Sequence, residues 1–122
     1  MTVTNVLRLF KASLNSWNGL RAAARSEEAF RQELWAFLVA VPAAFLLATD
    51  TWRRVLLIAV VVLLMIVELL NTAIEKLSDH VMPDHHVAIG RIKDMASAAV
   101  GLSLLLAGLV WLVALAERLG LI

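Results

Sequence analysis

The sequence predicts an all-α integral membrane protein: an N-terminal amphipathic surface helix followed by three transmembrane helices, in one domain covering residues 1–122. Three observations lead to this class. The 122 residues are 61% hydrophobic with a mean hydropathy of +0.85, more apolar than soluble domains, whose surfaces need more polar groups than this chain supplies. Uncharged runs cover sixteen residues at Leu34–Thr49, thirteen at Val55–Val67 and twenty-two at Met95–Ala116; roughly 20 apolar residues cross a hydrocarbon core of about 30 Å. Ahead of these runs, charge and apolar bulk fall on separate helical stripes, as in a helix lying in the membrane interface.

Residues 1–25 form the surface helix, with Val6, Phe10, Leu14 and Trp17 towards lipid and Arg8, Lys11, Asn15 and Arg25 on another stripe. No apolar run of a secretory signal interrupts the charges between Arg8 and Glu33, so the segment is expected to stay on the mature protein. Ser26 reads as the N-cap of the next helix, with Glu27 and Glu28 as acids in its first turn. The first span covers about residues 29–49. It contains Pro42, which should kink it or free a carbonyl. Asp50 can cap the following helix, expected from about Thr51 to about Val81, of which about residues 52–74 lie in the membrane. The third span, about residues 94–116, is expected to start after the Pro83–Gly90 loop. Trp35, Trp52 and Trp111 fall near span ends, as an aromatic belt would place them.

Three spans put the termini on opposite sides. Arg8, Lys11, Arg21, Arg25 and Arg31 precede the first span, and Lys76, Arg91 and Lys93 lie between the second and third; only Arg53, Arg54 and Arg118 fall on the other side. The positive-inside rule therefore places the N-terminus in the cytoplasm. The absence of cysteine excludes disulfides and thiolate chemistry. A net charge of +1 gives no footprint for nucleic acid. Neither GxxxxGK[ST] nor GxGxxG occurs, so any nucleotide phosphates must be held without a glycine-rich loop.

The polar residues within this apolar frame need a reason. Glu68, Asn71, Glu75 and Asp79 project at about 0°, 300°, 340° and 20° on a helix, a single stripe. A carboxyl placed centrally in a membrane costs on the order of 2.5–3.5 kcal/mol on insertion scales, which makes Glu68 a functional candidate. The structural alternative is that Glu68 and Asn71 join helices through hydrogen bonds. Lys93 and Asp94 stand at the mouth of the third span, with Ser97 one turn inside and small residues suited to close helix packing around it. Glu27 or Glu28 is either a helix-start acid or a metal ligand on the same side as Glu75. His80, His85 and His86 match no strong zinc spacing and read as solvated loop residues. Together these residues describe an interfacial site of carboxylates, lysine and arginines, suited to Mg²⁺–phosphate chemistry on a lipid.

Four blocks carry a more specific signal. They are Ser16-Trp17-Asn18-Gly19-Leu20-Arg21-Ala22-Ala23, Ala29-Phe30-Arg31-Gln32-Glu33, Glu68-Leu69-Leu70-Asn71-Thr72-Ala73-Ile74-Glu75 and Lys93-Asp94-Met95. In these blocks, and along essentially its whole length, the chain resembles the prokaryotic diacylglycerol kinases. The Ala-Phe-Arg-Gln-Glu block looks more like the diacylglycerol-phosphorylating branch than the related undecaprenol kinases.

The resemblance implies a homotrimer in the bacterial inner membrane with sites shared between subunits. It implies transfer of the γ-phosphate of MgATP to diacylglycerol, giving phosphatidic acid. By matching blocks it makes Glu68 the general base and Glu27 and Glu75 the ligands of Mg²⁺. Arg8, Asn15, Glu27, Glu75, Asp84, His85, His86, Lys93 and Asp94 are implied on the ATP side. Arg8, Ser16, Trp17, Arg21, Phe30, Arg31, Glu33, Glu68, Asn71 and Ser97 are implied on the lipid side. Asn15 departs from the pattern, since the family often carries Tyr there. The alternatives are an undecaprenol kinase of the same fold, a small proton-coupled transporter subunit and a holin-like pore; the last two leave Glu75, Lys93 and Asp94 without a task.

Overall fold

In the computed structural model, which describes residues 2–122, four helices account for nearly all of the chain: α1 (Val3–Ser26), α2 (Glu28–Leu47), α3 (Thr51–Val81) and α4 (Val87–Arg118). The last three are long and apolar enough to cross a membrane. No strand occurs among the described residues. At 1.5 Å per residue α2 is about 30 Å long, whereas α3 and α4 reach about 46 and 48 Å. The two longer helices therefore outrun the hydrocarbon core and pack against each other beyond it, where Lys93 of α4 meets Asp79 of α3.

Local chemistry sets the boundaries. Thr2 caps α1 by accepting from the Asn5 amide at 3.2 Å. Asp50 caps α3 by accepting from the Arg53 amide at 3.2 Å, as expected. The α1–α2 junction differs from the expectation. Ser26 ends α1 instead of capping α2, and its hydroxyl donates back to the Ala22 carbonyl at 2.9 Å. Glu27 alone breaks the helical run, with φ −112° and ψ 112°. The Arg31 side chain reaches back to the end of α1, where its Nη1 donates to the carbonyls of Ala24 at 3.2 Å and Arg25 at 2.9 Å. Those carbonyls lack helical partners at a helix terminus, so Arg31 holds the surface helix against the start of α2.

One further expectation is corrected. The fourth helix begins at Val87, inside the stretch assigned to a loop, because the His86 Nδ1 accepts from the Ala88 amide at 3.1 Å and caps it. Gly90 is carried within the helix. Trp111 Nε1 donates to the Leu57 carbonyl at 3.1 Å, tying α4 to α3. Pro42 lies within a helix that continues to Leu47. It removes one N–H from the ladder without ending the element.

The tightest packing lies where α2 gives way to α3. Ala44, Ala48, Leu57 and Ala114 form a buried cluster flanked by Leu47, Ile58, Val110 and Trp111. Alanines there let the helices approach closely, the packing mode available where lipid is as apolar as the side chains. Arg54 Nε donates to the Ala48 carbonyl at 2.9 Å, and its guanidinium lies 4.7 Å from the Phe45 ring centroid. Arg53 bridges Asp50 at 2.9 Å and Glu117 at 3.1 Å. The Arg53 guanidinium holds the Asp50 carboxyl below its usual value of 3.8.

Candidate active site

The other end of the bundle gathers the carboxylates. Helical periodicity puts Glu68, Asn71 and Glu75 on one side of α3, and the fold buries the first two, leaving 7% of Glu68 and 9% of Asn71 exposed. Asn71 Nδ2 donates to Glu75 Oε1 at 3.4 Å. Thr72 is a polar neighbour of Glu68, and the charges of Glu75 and Glu27 both reach it. Glu33 approaches from α2 closely enough to feel the charge of Glu68.

Two acceptors in this cluster, Glu33 Oε1 and Asn71 Oδ1, are buried without a hydrogen-bond partner among the described residues. A buried acceptor left unpaired costs about 1–3 kcal/mol. Such groups flank Glu68 where a donor from a bound molecule would satisfy them.

Glu27 is set beside this cluster by the break between α1 and α2. Its Oε1 lies 2.9 Å from Lys76 Nζ on α3, and it accepts from the Ser26 hydroxyl at 3.2 Å. The bond from Lys76, with the Ser26 hydroxyl in a lesser role, holds the Glu27 carboxyl below its usual value of 4.5. Among the described residues no three His, Cys, Asp or Glu side chains converge on a point that could hold a metal ion. Mg²⁺ usually takes one or two carboxylates together with substrate phosphates instead of an all-protein cage. Glu27 and Glu75, converging on Glu68 from two elements, fit that mode of binding.

Two grooves adjoin the carboxylates, both roofed by α1. One of about 540 Å³ runs between α1 and α3 and is lined by Ser16, Gly19, Glu27, Thr72 and Lys76. The other, about 510 Å³ and almost wholly apolar, is lined by Trp17, Leu20, Arg21, Phe30, Leu34, Phe37 and residues of α3 as far as Leu69. Leu20 and Leu69 border both grooves. Both grooves are therefore mostly apolar and run together along the surface helix, and the first adds the polar side chains of Ser16, Glu27, Thr72 and Lys76. This shape suits a molecule with a polar head and a hydrocarbon tail.

The residues singled out in the sequence separate into three groups. Asn71 and Glu75 are in contact on α3, and Glu33, Glu27 and Glu75 are near enough to Glu68 for charge to act between them. Ser16, Trp17, Arg21 and Phe30 line the grooves, with Phe30 only 1% exposed at their base. Arg8 and Asn15 lie exposed on the first part of α1, while Lys93, Asp94 and Ser97 lie on α4, which packs on α3 and α2. Asp84, His85 and His86 are exposed between α3 and α4. Arg31 has its guanidinium engaged at the end of α1. Lys76 was counted in the sequence only towards membrane orientation. Its pairing with Glu27 spans 49 positions and leaves no periodic trace.

Comparison with known proteins decides the class. The family model described as prokaryotic diacylglycerol kinase matches residues 14–115. The chain belongs to that family. It is 47% identical to the diacylglycerol kinase of Escherichia coli strain K12 over 117 residues, 96% of each chain. It is also 42% identical to that of Pseudomonas aeruginosa PAO1, over 88% of each chain, and 35% identical to that of Haemophilus influenzae Rd, over 88% of this chain and 92% of the relative. Family membership and three membrane-crossing helices make this a bacterial membrane kinase. The transporter and pore readings fall with that assignment.

Proposed function

We propose that this chain phosphorylates diacylglycerol with ATP at the cytoplasmic face of the inner membrane, yielding phosphatidic acid and ADP. The observation that carries the reading is a pair of adjoining, mostly apolar grooves under α1, the first lined by Glu27 and Lys76, on the same α3 that buries Glu68. The names of the relatives, each a diacylglycerol kinase, give the acceptor. The excess of Lys and Arg in α1 and the start of α2, and around the connection from α3 to α4, supports a cytoplasmic N-terminus.

The acyl chains of the lipid lie in the groove over Phe30 and Phe37, and Trp17 and Arg21 hold its glycerol end at the interface. The primary hydroxyl then reaches Glu68, with the unpaired oxygens of Glu33 and Asn71 ready to accept hydrogen bonds. Glu68 removes the hydroxyl proton as that oxygen bonds to the γ-phosphorus and the bond to ADP breaks, a general-base role for a carboxylate within reach of the reacting group. Glu27 and Glu75 would hold Mg²⁺, which, when bound, neutralises charge on the phosphates. Arg8, Asn15, Lys93, Asp94 and the Asp84–His86 segment form the nucleotide side. The α1 and α4 contributions come together between neighbouring subunits of a homotrimer.

The test is transfer of radiolabel from γ-labelled ATP in mixed micelles presenting either diacylglycerol or undecaprenol. Labelled phosphatidic acid, with little labelled undecaprenyl phosphate, is the expected result. The reverse preference would move the chain to the undecaprenol branch.

A further inference from the structure

The contact between Lys76 and Glu27 has no place in the chemistry described so far. Lys76 follows Glu75 in sequence, feels its charge, and lies 2.9 Å from Glu27, so one ammonium pairs with the first of the two carboxylates assigned to the metal and neighbours the second along α3. It lines the groove between α1 and α3 together with Ser16, Gly19, Thr72 and Glu27. Its side chain is 64% exposed and its partner's 25%, so the pair is held on one side by a flexible stem in contact with solvent. An exposed lysine ion pair is weak and readily exchanged. A divalent cation on Glu27 competes with this ammonium, since two positive charges on one carboxylate repel each other. The released ammonium would stay tethered to α3 next to Glu75, where it could reach phosphates held through a metal on those carboxylates. Lysine binds phosphate as a mobile point charge that tolerates such a change of partner.

We propose that Lys76 is an exchangeable counter-ion of the active site. Without the metal it neutralises Glu27 and fastens the α1–α2 break to α3; when MgATP binds, it passes from Glu27 to the polyphosphate. The proposal rests on the assignment of Glu27 to Mg²⁺ and adds to it a nucleotide contact supplied by α3. It also gives the surface helix a fixed position before substrate arrives, so the groove is already formed in the metal-free protein.

Exchange makes a prediction that a purely structural lysine does not share, because Lys76 competes with the metal and assists the nucleotide. In the detergent-solubilised full chain, binding of Mn²⁺ alone is measured by electron paramagnetic resonance, and binding of the Mg²⁺ complex of a non-hydrolysable ATP analogue by calorimetry. Lys76→Gln should tighten Mn²⁺ binding severalfold and weaken binding of the nucleotide complex severalfold, and Lys76→Arg should restore both towards wild type. Weakening of both ligands by Lys76→Gln would mean that the lysine only supports the fold, and unchanged binding of both would mean that it plays no part; either result overturns the exchange. Glu27→Gln is the control for the underlying assignment. If it binds Mn²⁺ as well as wild type does, the metal assignment fails and the exchange fails with it. If it loses Mn²⁺ while Lys76→Gln changes nothing, only the exchange is lost.

Discussion

At the end of the bundle where α2 turns into α3, polar groups answer one another within the chain. Arg53 joins Asp50 to Glu117, Arg54 and Arg118 donate to carbonyls at the end of α2, and the Trp111 indole closes on the Leu57 carbonyl. The opposite end is arranged differently. There Glu33 and Glu68 are near enough for their like charges to act on one another, the charge of Glu75 also reaches Glu68, and the oxygens of Glu33 and Asn71 are buried and unpaired among the described residues. Both regions adjoin the same three membrane helices and draw on similar residue types. The difference is that one is complete within the chain, whereas the other gathers like charges and unpaired acceptors, which is destabilising unless a cation and a hydroxyl join them. The first arrangement holds the helices together, and the second is suited to binding and proton transfer.

Substitutions in the two regions should therefore have separable effects. The largest is expected for Glu68→Gln, which keeps the shape of the side chain and removes its basicity. Initial rates should fall on the order of 10²–10⁴-fold, the usual worth of a positioned general base, with circular dichroism and oligomer size unchanged. At the other end, Leu57→Ala empties a site only 1% exposed and should cost about 2–5 kcal/mol of stability. That loss is read from unfolding in mixed micelles, with the rate per folded molecule retained.

Smaller effects sharpen the contrast. Asn15 has no aromatic face, and stacking on a base is worth about 1–3 kcal/mol in nucleic-acid sites, or roughly five- to more than a hundredfold in affinity. Asn15→Tyr should accordingly lower the KM for ATP at saturating lipid and Mg²⁺ while leaving the diacylglycerol dependence unaltered. An unchanged KM would show that position 15 does not act through the base. Trp111→Phe keeps most of the ring and deletes the bond to Leu57. It should destabilise by about 0.5–1.5 kcal/mol, visible as a small shift in the unfolding midpoint and none in KM.

The two regions were not equally legible in the sequence. The length of α3 and its Asp50 cap could be read directly, because a long apolar run and a local capping residue are short-range signals. So could the shared stripe of Glu68, Asn71 and Glu75, which follows from helical periodicity alone. The early start of α4 was missed because a histidine ring nitrogen serves as the cap, a role more often filled by Ser, Thr, Asp or Asn. The closure of Trp111 on Leu57, the proximity of Glu33 to Glu68 and the bridge from Lys76 to Glu27 depend on how helices dock. Periodicity within one helix carries no information about its neighbour. For Arg31, composition suggested only a positive charge on the cytoplasmic side, whereas the fold uses it to satisfy carbonyls at the end of α1.

The separation between catalytic and structural ends is tested most directly by assaying Glu68→Gln and Leu57→Ala side by side in the same micelles. Phosphate transfer to diacylglycerol, normalised to folded protein, and the unfolding midpoint would be measured on each sample. The account predicts a crossed result: Glu68→Gln loses transfer and keeps its midpoint, while Leu57→Ala loses midpoint and keeps transfer. Near-normal transfer by a well-folded Glu68→Gln protein would contradict it.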